Sequence, residues 1–178
     1  EVACWPAAGA KRRYAGVSHI DVVNLTKEKA EEILALCKAK GVEISSLAYY
    51  PNTLDPDPDK RAAYVQHLHA VIDASAMLGV NMITTFIGRV SDKTVSENLE
   101  IAKEVWTPLL RHAEEKGVRV AIENCPMWFT DDEWPGGQNI MCTPANWRKV
   151  FAALDSPNLG LNYDPSHFVW QQMGYIKP

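Results

Sequence analysis

Lys116-Gly117-Val118-Arg119-Val120-Ala121-Ile122-Glu123-Asn124-Cys125-Pro126 carries the end of a helix, a strand and a polar terminus in one run. Glycine is the usual residue for the left-handed position just past a helix C-terminus. The apolar run from Val118 to Ile122 reads as a strand, and Pro126, which has no amide hydrogen, follows its polar end. The strand therefore delivers a carboxylate, Glu123, just before a proline.

The same join occurs twice more. Lys40-Gly41-Val42 and Leu78-Gly79-Val80 each close a helical pattern and open a strand, and Gly41, Gly79 and Gly117 are spaced 38 residues apart. A helix, a glycine and a strand recurring at that interval read as successive units of a parallel sheet.

A further strand runs through Leu159, Leu161 and Tyr163 into Asp164-Pro165-Ser166-His167. Pro165 disfavours helical geometry at Asp164, so the strand is expected to stop there and to present Asp164 and His167 together. Asp-Pro is a common turn in its own right. The second strand ending in a carboxylate beside a proline turns the pair into two walls of one expected site.

The remaining units read similarly. Strands are expected at 1–5, 43–49, 81–87, 118–123 and 159–163. Thr26 is the expected cap of a helix with Ala30, Ile33, Leu34 and Cys37 on its apolar face. Asp59 is the expected cap of a helix carrying Val65, Leu68, Ile72 and Ala76. A third helix, from about Ser96, carries Leu99, Ala102, Trp106 and Leu109 with a bend at Pro108, and a fourth opens at Thr143-Pro144. The long loop between Cys125 and Cys142, with Trp128 and Trp134, has the length of a functional loop.

Composition narrows the function classes. The 178 residues are 47% hydrophobic and 22% charged, enough for one domain with a sizeable core. A net charge of -4 makes no electrostatic case for a nucleic acid or an anionic membrane. No apolar run approaches the ~18 residues of a membrane span. The four cysteines (Cys4, Cys37, Cys125, Cys142) form no CxxC pair and read as reduced thiols of a cytoplasmic protein. The first residue is Glu1 rather than Met, so a longer natural N-terminus is expected.

A nucleotide-binding doubly wound sheet should show a glycine-rich turn after its first strand, and none is present. A (β/α)8 barrel gathers its site at the C-terminal ends of the strands, where both carboxylates fall. Five strands are a large part of a ~250-residue barrel but not all of it. The expectation is an α/β fold, a partial (β/α)8 TIM barrel with about five of eight strands, spanning 1–178 as one incomplete domain.

Leu161-Asn162-Tyr163-Asp164-Pro165-Ser166-His167-Phe168-Val169-Trp170-Gln171 and Ala121-Ile122-Glu123-Asn124-Cys125-Pro126 resemble the sugar phosphate isomerase/epimerase family, whose members have the xylose isomerase-like TIM barrel. Ser18-His19-Ile20-Asp21-Val22, Gly136-Gly137-Gln138-Asn139 and Thr143-Pro144-Ala145-Asn146-Trp147 add to the resemblance. It implies one divalent metal ion (Mn2+, Mg2+, Co2+ or Zn2+) held by Glu, Asp, His and Glu from the fifth to eighth strands. Glu123 and Asp164 match the first two, and the other two would lie beyond Pro178. His167 matches a position that contacts substrate oxygen.

The implied chemistry is isomerisation or epimerisation of a sugar, sugar phosphate or polyol. It needs removal of a weakly acidic proton next to a carbonyl, which a metal ion assists as Lewis acid and a carboxylate performs as base. Glu123 is the expected base, and oxygen-rich ligands suit Mn2+ or Mg2+. His19, Trp5 and Asn139 are further candidates for substrate binding. Trp128 and Trp170 could stack on a sugar or pack. His67 and His69, two apart on a helix, make a poor metal pair, His112 reads as solvated, and Lys11–Arg13 as a solvated loop. The expected partner is a small-molecule sugar or polyol, with no nucleic acid and no membrane, and self-association is left open.

Two alternatives compete. One is an apurinic-site endonuclease-like zinc nuclease, which takes histidines from earlier strand ends. Here those ends read Ala48-Tyr49-Tyr50 and Phe86-Ile87-Gly88. The other is a non-catalytic sugar-binding barrel.

Overall fold

The computed structural model describes residues 1–7, 17–128 and 137–176. Its elements, in order, are β1 (Val2–Ala3), α1 (Lys27–Lys40), β2 (Leu47–Ala48), α2 (Pro58–Met77), β3 (Met82–Thr85), α3 (Val95–Glu115), β4 (Arg119–Glu123), a 3-10 turn (Ile140–Cys142), α4 (Pro144–Leu154), β5 (Leu159–Asn162) and α5 (Ser166–Trp170). The five strands form one sheet in the order β1-β2-β3-β4-β5, and every pairing is parallel. Strand followed by helix, with each strand beside its predecessor, is the topology of part of a TIM barrel.

Register shows how the chain divides its two faces. Val2, Leu47, Ile83, Val120 and Leu159 stand in one row across the sheet. Leu47, Ile83, Val120 and Ile122 are buried in the core with Leu68, Ile72, Trp106 and Val150 of the helices. Successive side chains on a strand alternate between faces. The next row, Ala3, Ala48, Thr84, Ala121 and Gly160, therefore faces the barrel interior. Its small residues leave room there, and two positions beyond Ala121 on that same face is Glu123.

The helix signals resolve as follows. Thr26 caps α1 through a bond from the Lys29 amide, and Gly41 closes it with φ 64°. The cap of α2 is Asp57, which accepts from the Asp59 and Lys60 amides, so the expected cap Asp59 falls in the first turn. Pro58 at the first helical position explains the shift, because it lacks an amide hydrogen and has a pre-set φ. α3 starts at Val95 with a capping box between Thr94 and Glu97, and Pro108 lies inside it.

The strands are shorter than expected, most of all β2, which pairs only at Leu47 and Ala48. Leu34 is 41% exposed rather than core, although Ala30 on the same helix is buried. The helix α5 has no counterpart among the four expected helices.

Gly88, at φ 89°, shows how closely the loops at the C-terminal end of the sheet approach. A Cβ there would lie 2.1 Å from Asn52 Oδ1 and 2.9 Å from the Leu54 amide nitrogen. Asn52 bonds Arg89 at both backbone positions, and Thr53 Oγ1 donates to the Ile87 carbonyl at 2.7 Å. The buried Trp106 indole donates to Thr53 Oγ1 at 2.9 Å. These bonds tie the β2 and β3 loops to α3.

Candidate functional site

At the end of β4, Asn139 fixes the chain. Its amide donates to the Glu123 carbonyl at 2.9 Å and the Cys125 carbonyl at 2.7 Å, and its Oδ1 accepts from the Met141 amide. Asn139 is fully buried. The sequence suggested it as a substrate contact, but its side chain is engaged with the backbone that carries Glu123.

At the end of β5, Asp164 Oδ1 accepts from the Ser166 amide at 2.8 Å and starts α5. A five-residue helix cannot stand alone. It is anchored by Phe168, fully buried and stacked on Trp147 of α4 at 5.4 Å. That docking places His167 over the sheet ends, with Nε2 3.1 Å from Glu123 Oε1 and 3.5 Å from Asp164 Oδ2. The two carboxylates predicted to wall one site thus meet on one imidazole.

The electrostatics follow. Burial opposes charge on His167, but hydrogen bonds with the Cys125 and Glu123 side chains and the charge of Asp164 outweigh it and push its pKa up to about 10. Burial likewise opposes ionisation of Asp164, yet hydrogen bonds from Ser166 and the His167 charge hold it below its ordinary value.

A metal ion fits that environment. The ligand atoms of Glu123, Cys125 and His167 all lie within 4.8 Å of one another. Asp164 stands beside this group through His167. Cys125 is a residue that the sequence reading missed. It lies two residues past the end of β4, where the loop brings its sulfur to Glu123 and His167.

The other candidates sit elsewhere on the same end of the sheet. His19 is exposed, its Nδ1 accepting from the Ala3 amide at 2.9 Å and its own amide donating to the Ala3 carbonyl at 2.8 Å. Trp5 is half-buried, edge-on to Tyr49 at 4.9 Å. Both belong to the end of β1, three strands from Glu123. Between them lies an interior polar group that sequence reasoning also missed. The Glu1 carboxylate accepts from the Tyr50 hydroxyl at 3.2 Å and from Thr84 Oγ1 at 2.9 Å. Burial first, and then the charges of Glu123 and Glu1, raise the Tyr50 pKa strongly.

His112, read as solvated, is half-buried against Asp73 Oδ1 at 3.0 Å and edge-on to His69 at 4.7 Å. The helices α2 and α3 pack side by side, which a single-helix reading cannot see. His67 is buried on the other side, 2.7 Å from the Cys4 carbonyl. All four cysteines are free thiols. Lys11–Arg13, Trp134 and the Trp170 side chain lie outside the described residues.

A partial TIM barrel with a carboxylate–imidazole group at the C-terminal ends of its strands is the class that fold and site define. A family model described as xylose isomerase-like TIM barrel matches residues 7–177. The chain belongs to that family.

Similar structures agree on the fold. One is a xylose isomerase domain protein of Planctomyces limnophilus, 20% identical with TM-score 0.62 over 81% of this chain and 51% of that one. Another is the 3-keto-D-glucoside 4-epimerase of E. coli, 16% identical with TM-score 0.66 over 83% of this chain and 58% of that one. In sequence, the chain is 26% identical over 99 residues to a probable endonuclease 4 of Acholeplasma laidlawii, covering 53% of this chain and 34% of the relative. The chain thus spans about a third of that relative and somewhat over half of the two structures. No helix among the described residues is long and apolar enough to cross a membrane.

Proposed function

We propose that the full-length protein is a metal-dependent isomerase or epimerase of a sugar, sugar phosphate or polyol, acting by proton transfer next to a carbonyl. The observation that carries this reading is the meeting of Glu123 and Asp164, from neighbouring strand ends, on His167. Glu123 and Asp164 would hold one divalent ion, with Mn2+, Mg2+, Co2+ and Zn2+ the candidates. When bound, that ion supplies positive charge against the negative charge developing on the substrate carbonyl oxygen.

Glu123 takes the proton from the carbon next to the carbonyl. Its return to the adjacent carbon isomerises the substrate; protonation from the opposite face at the original carbon epimerises it. His167 donates to a substrate oxygen and orients it. Asn139 and Asn124 keep Glu123 and Asp164 at fixed spacing. His19 and Trp5, at the end of β1, are proposed to line the far side of the sugar site.

The endonuclease-like reading is favoured by the match to the probable endonuclease 4. Against it, the ends of β2 and β3 carry Tyr49, Tyr50, Phe86 and Ile87 where histidines would be needed for further zinc ions. The net charge of -4 also opposes a DNA partner. A small-molecule substrate is therefore the proposed one.

Incubating the full-length protein with ketoses and a divalent ion in D2O tests the reaction. Deuterium uptake next to the carbonyl, lost in Glu123→Gln, is expected. Lack of uptake with every sugar tried, or uptake undiminished in the variant, would overturn the assignment.

A further inference from the structure

Cys125 is the one cysteine of the four placed with an imidazole and a carboxylate. Cys4 and Cys142 are buried, and Cys37 lies on α1. Cys125 lies two residues past the end of β4, in the loop that leaves Glu123. The positions of these two side chains are coupled, because the same buried Asn139 amide binds the carbonyls of residues 123 and 125 at 2.9 and 2.7 Å. The Cys125 sulfur, the Glu123 carboxylate and a His167 nitrogen already lie within 4.8 Å of each other. With metal–sulfur and metal–oxygen bonds of about 2.3 and 2.1 Å, tetrahedral ligands stand roughly 3.6 Å apart, so the Cys125 sulfur and the Glu123 carboxylate already stand near ligand spacing.

We propose that Cys125 is a direct ligand of the ion that Glu123 helps hold, and that its sulfur makes the site select a thiophilic divalent ion. This inference rests on the one-ion reading above and narrows its choice of metal. Thiolate donors favour Zn2+, Co2+ and Cd2+ over Mg2+ and Mn2+, which prefer oxygen. On coordination the thiol proton passes to solvent and the sulfur binds as thiolate, so one proton is released per ion bound through it.

Cobalt provides a readout independent of turnover. The metal-free full-length protein is titrated with Co2+ and its near-ultraviolet absorbance followed for a thiolate-to-cobalt charge-transfer band. The band is expected in the wild type and in Cys37→Ser, and expected to vanish in Cys125→Ser. The visible cobalt bands should persist in that variant while Co2+ affinity falls about tenfold or more, with Mn2+ affinity changed far less. Wild-type protein that binds one Co2+ without the band overturns the thiolate ligand and leaves the one-ion reading standing, whatever the folding of the variants. A wild type that binds no Co2+, or a Glu123→Gln variant that binds it undiminished, overturns both.

Discussion

Asn124 holds Asp164 by its backbone at both hydrogen-bonding positions. Its Oδ1 accepts from the Asp164 amide at 2.6 Å and its Nδ2 donates to the Asp164 carbonyl at 2.9 Å. The side chain is fully buried, so the end of β4 grips the end of β5 at the point where the strand register stops. Two metal-binding candidates on separate strands are thereby set at fixed separation by a residue that touches neither carboxylate.

Asn124→Ala should therefore act on both stability and site. Leaving the Asp164 amide and carbonyl unpaired costs roughly 1–3 kcal/mol for each group that stays buried. Denaturant unfolding of the full-length protein should show a loss in that range, together with weaker metal binding. Unchanged stability would mean that water replaces the clamp.

Trp106 ties α3 to two loops and is fully buried. Trp106→Ala should cost about 3–5 kcal/mol from the cavity and lost contacts. Thermal unfolding checks it; Trp106→Phe should fall between, because it keeps most of the volume and loses the bond to Thr53.

Asp73 gives a pH dependence remote from the site. Burial raises its pKa, but hydrogen bonds and charge from Lys116 and His112 outweigh this and leave it below the ordinary 3.8. A depressed carboxyl pKa stabilises the fold above the unfolded value and loses that contribution as pH falls through the folded one. Stability of the wild type should thus drop more steeply than that of Asp73→Asn as the pH goes below 3.8. The pair is partly exposed, so added salt should shrink the difference.

Much of this was legible in the sequence, for identifiable reasons. Gly41, Gly79 and Gly117 all have positive φ, between 64° and 67°, so a local backbone rule located the three helix-to-strand joins and hence the parallel sheet. Glu123 and Asp164 were visible because a proline closely follows each strand end. Two kinds of feature were not. α5 exists because Phe168 stacks on Trp147, a contact that no local pattern encodes. Asn124, Asn139 and His112 have roles fixed by partners 14 to 40 residues away. Cys125 is set beside Glu123 and His167 by the loop after β4, which the spacing of the cysteines does not encode.

Asp164 and His167 should separate in their effects. Asp164→Asn removes a charged oxygen donor and should lose the metal. His167→Ala should keep it and show a raised KM or a lowered kcat through lost substrate contact. Metal analysis beside steady-state kinetics checks both, and equal metal loss in the two variants would make His167 a direct ligand.

The central claim is a single divalent ion held at the joined ends of β4 and β5. Elemental analysis of the purified full-length protein, paired with its Glu123→Gln variant, tests this most directly. The account predicts one bound ion per chain in the wild type and a large loss in the variant. Three zinc ions per chain would point to the endonuclease-like reading, and no bound metal in either protein would contradict the account outright.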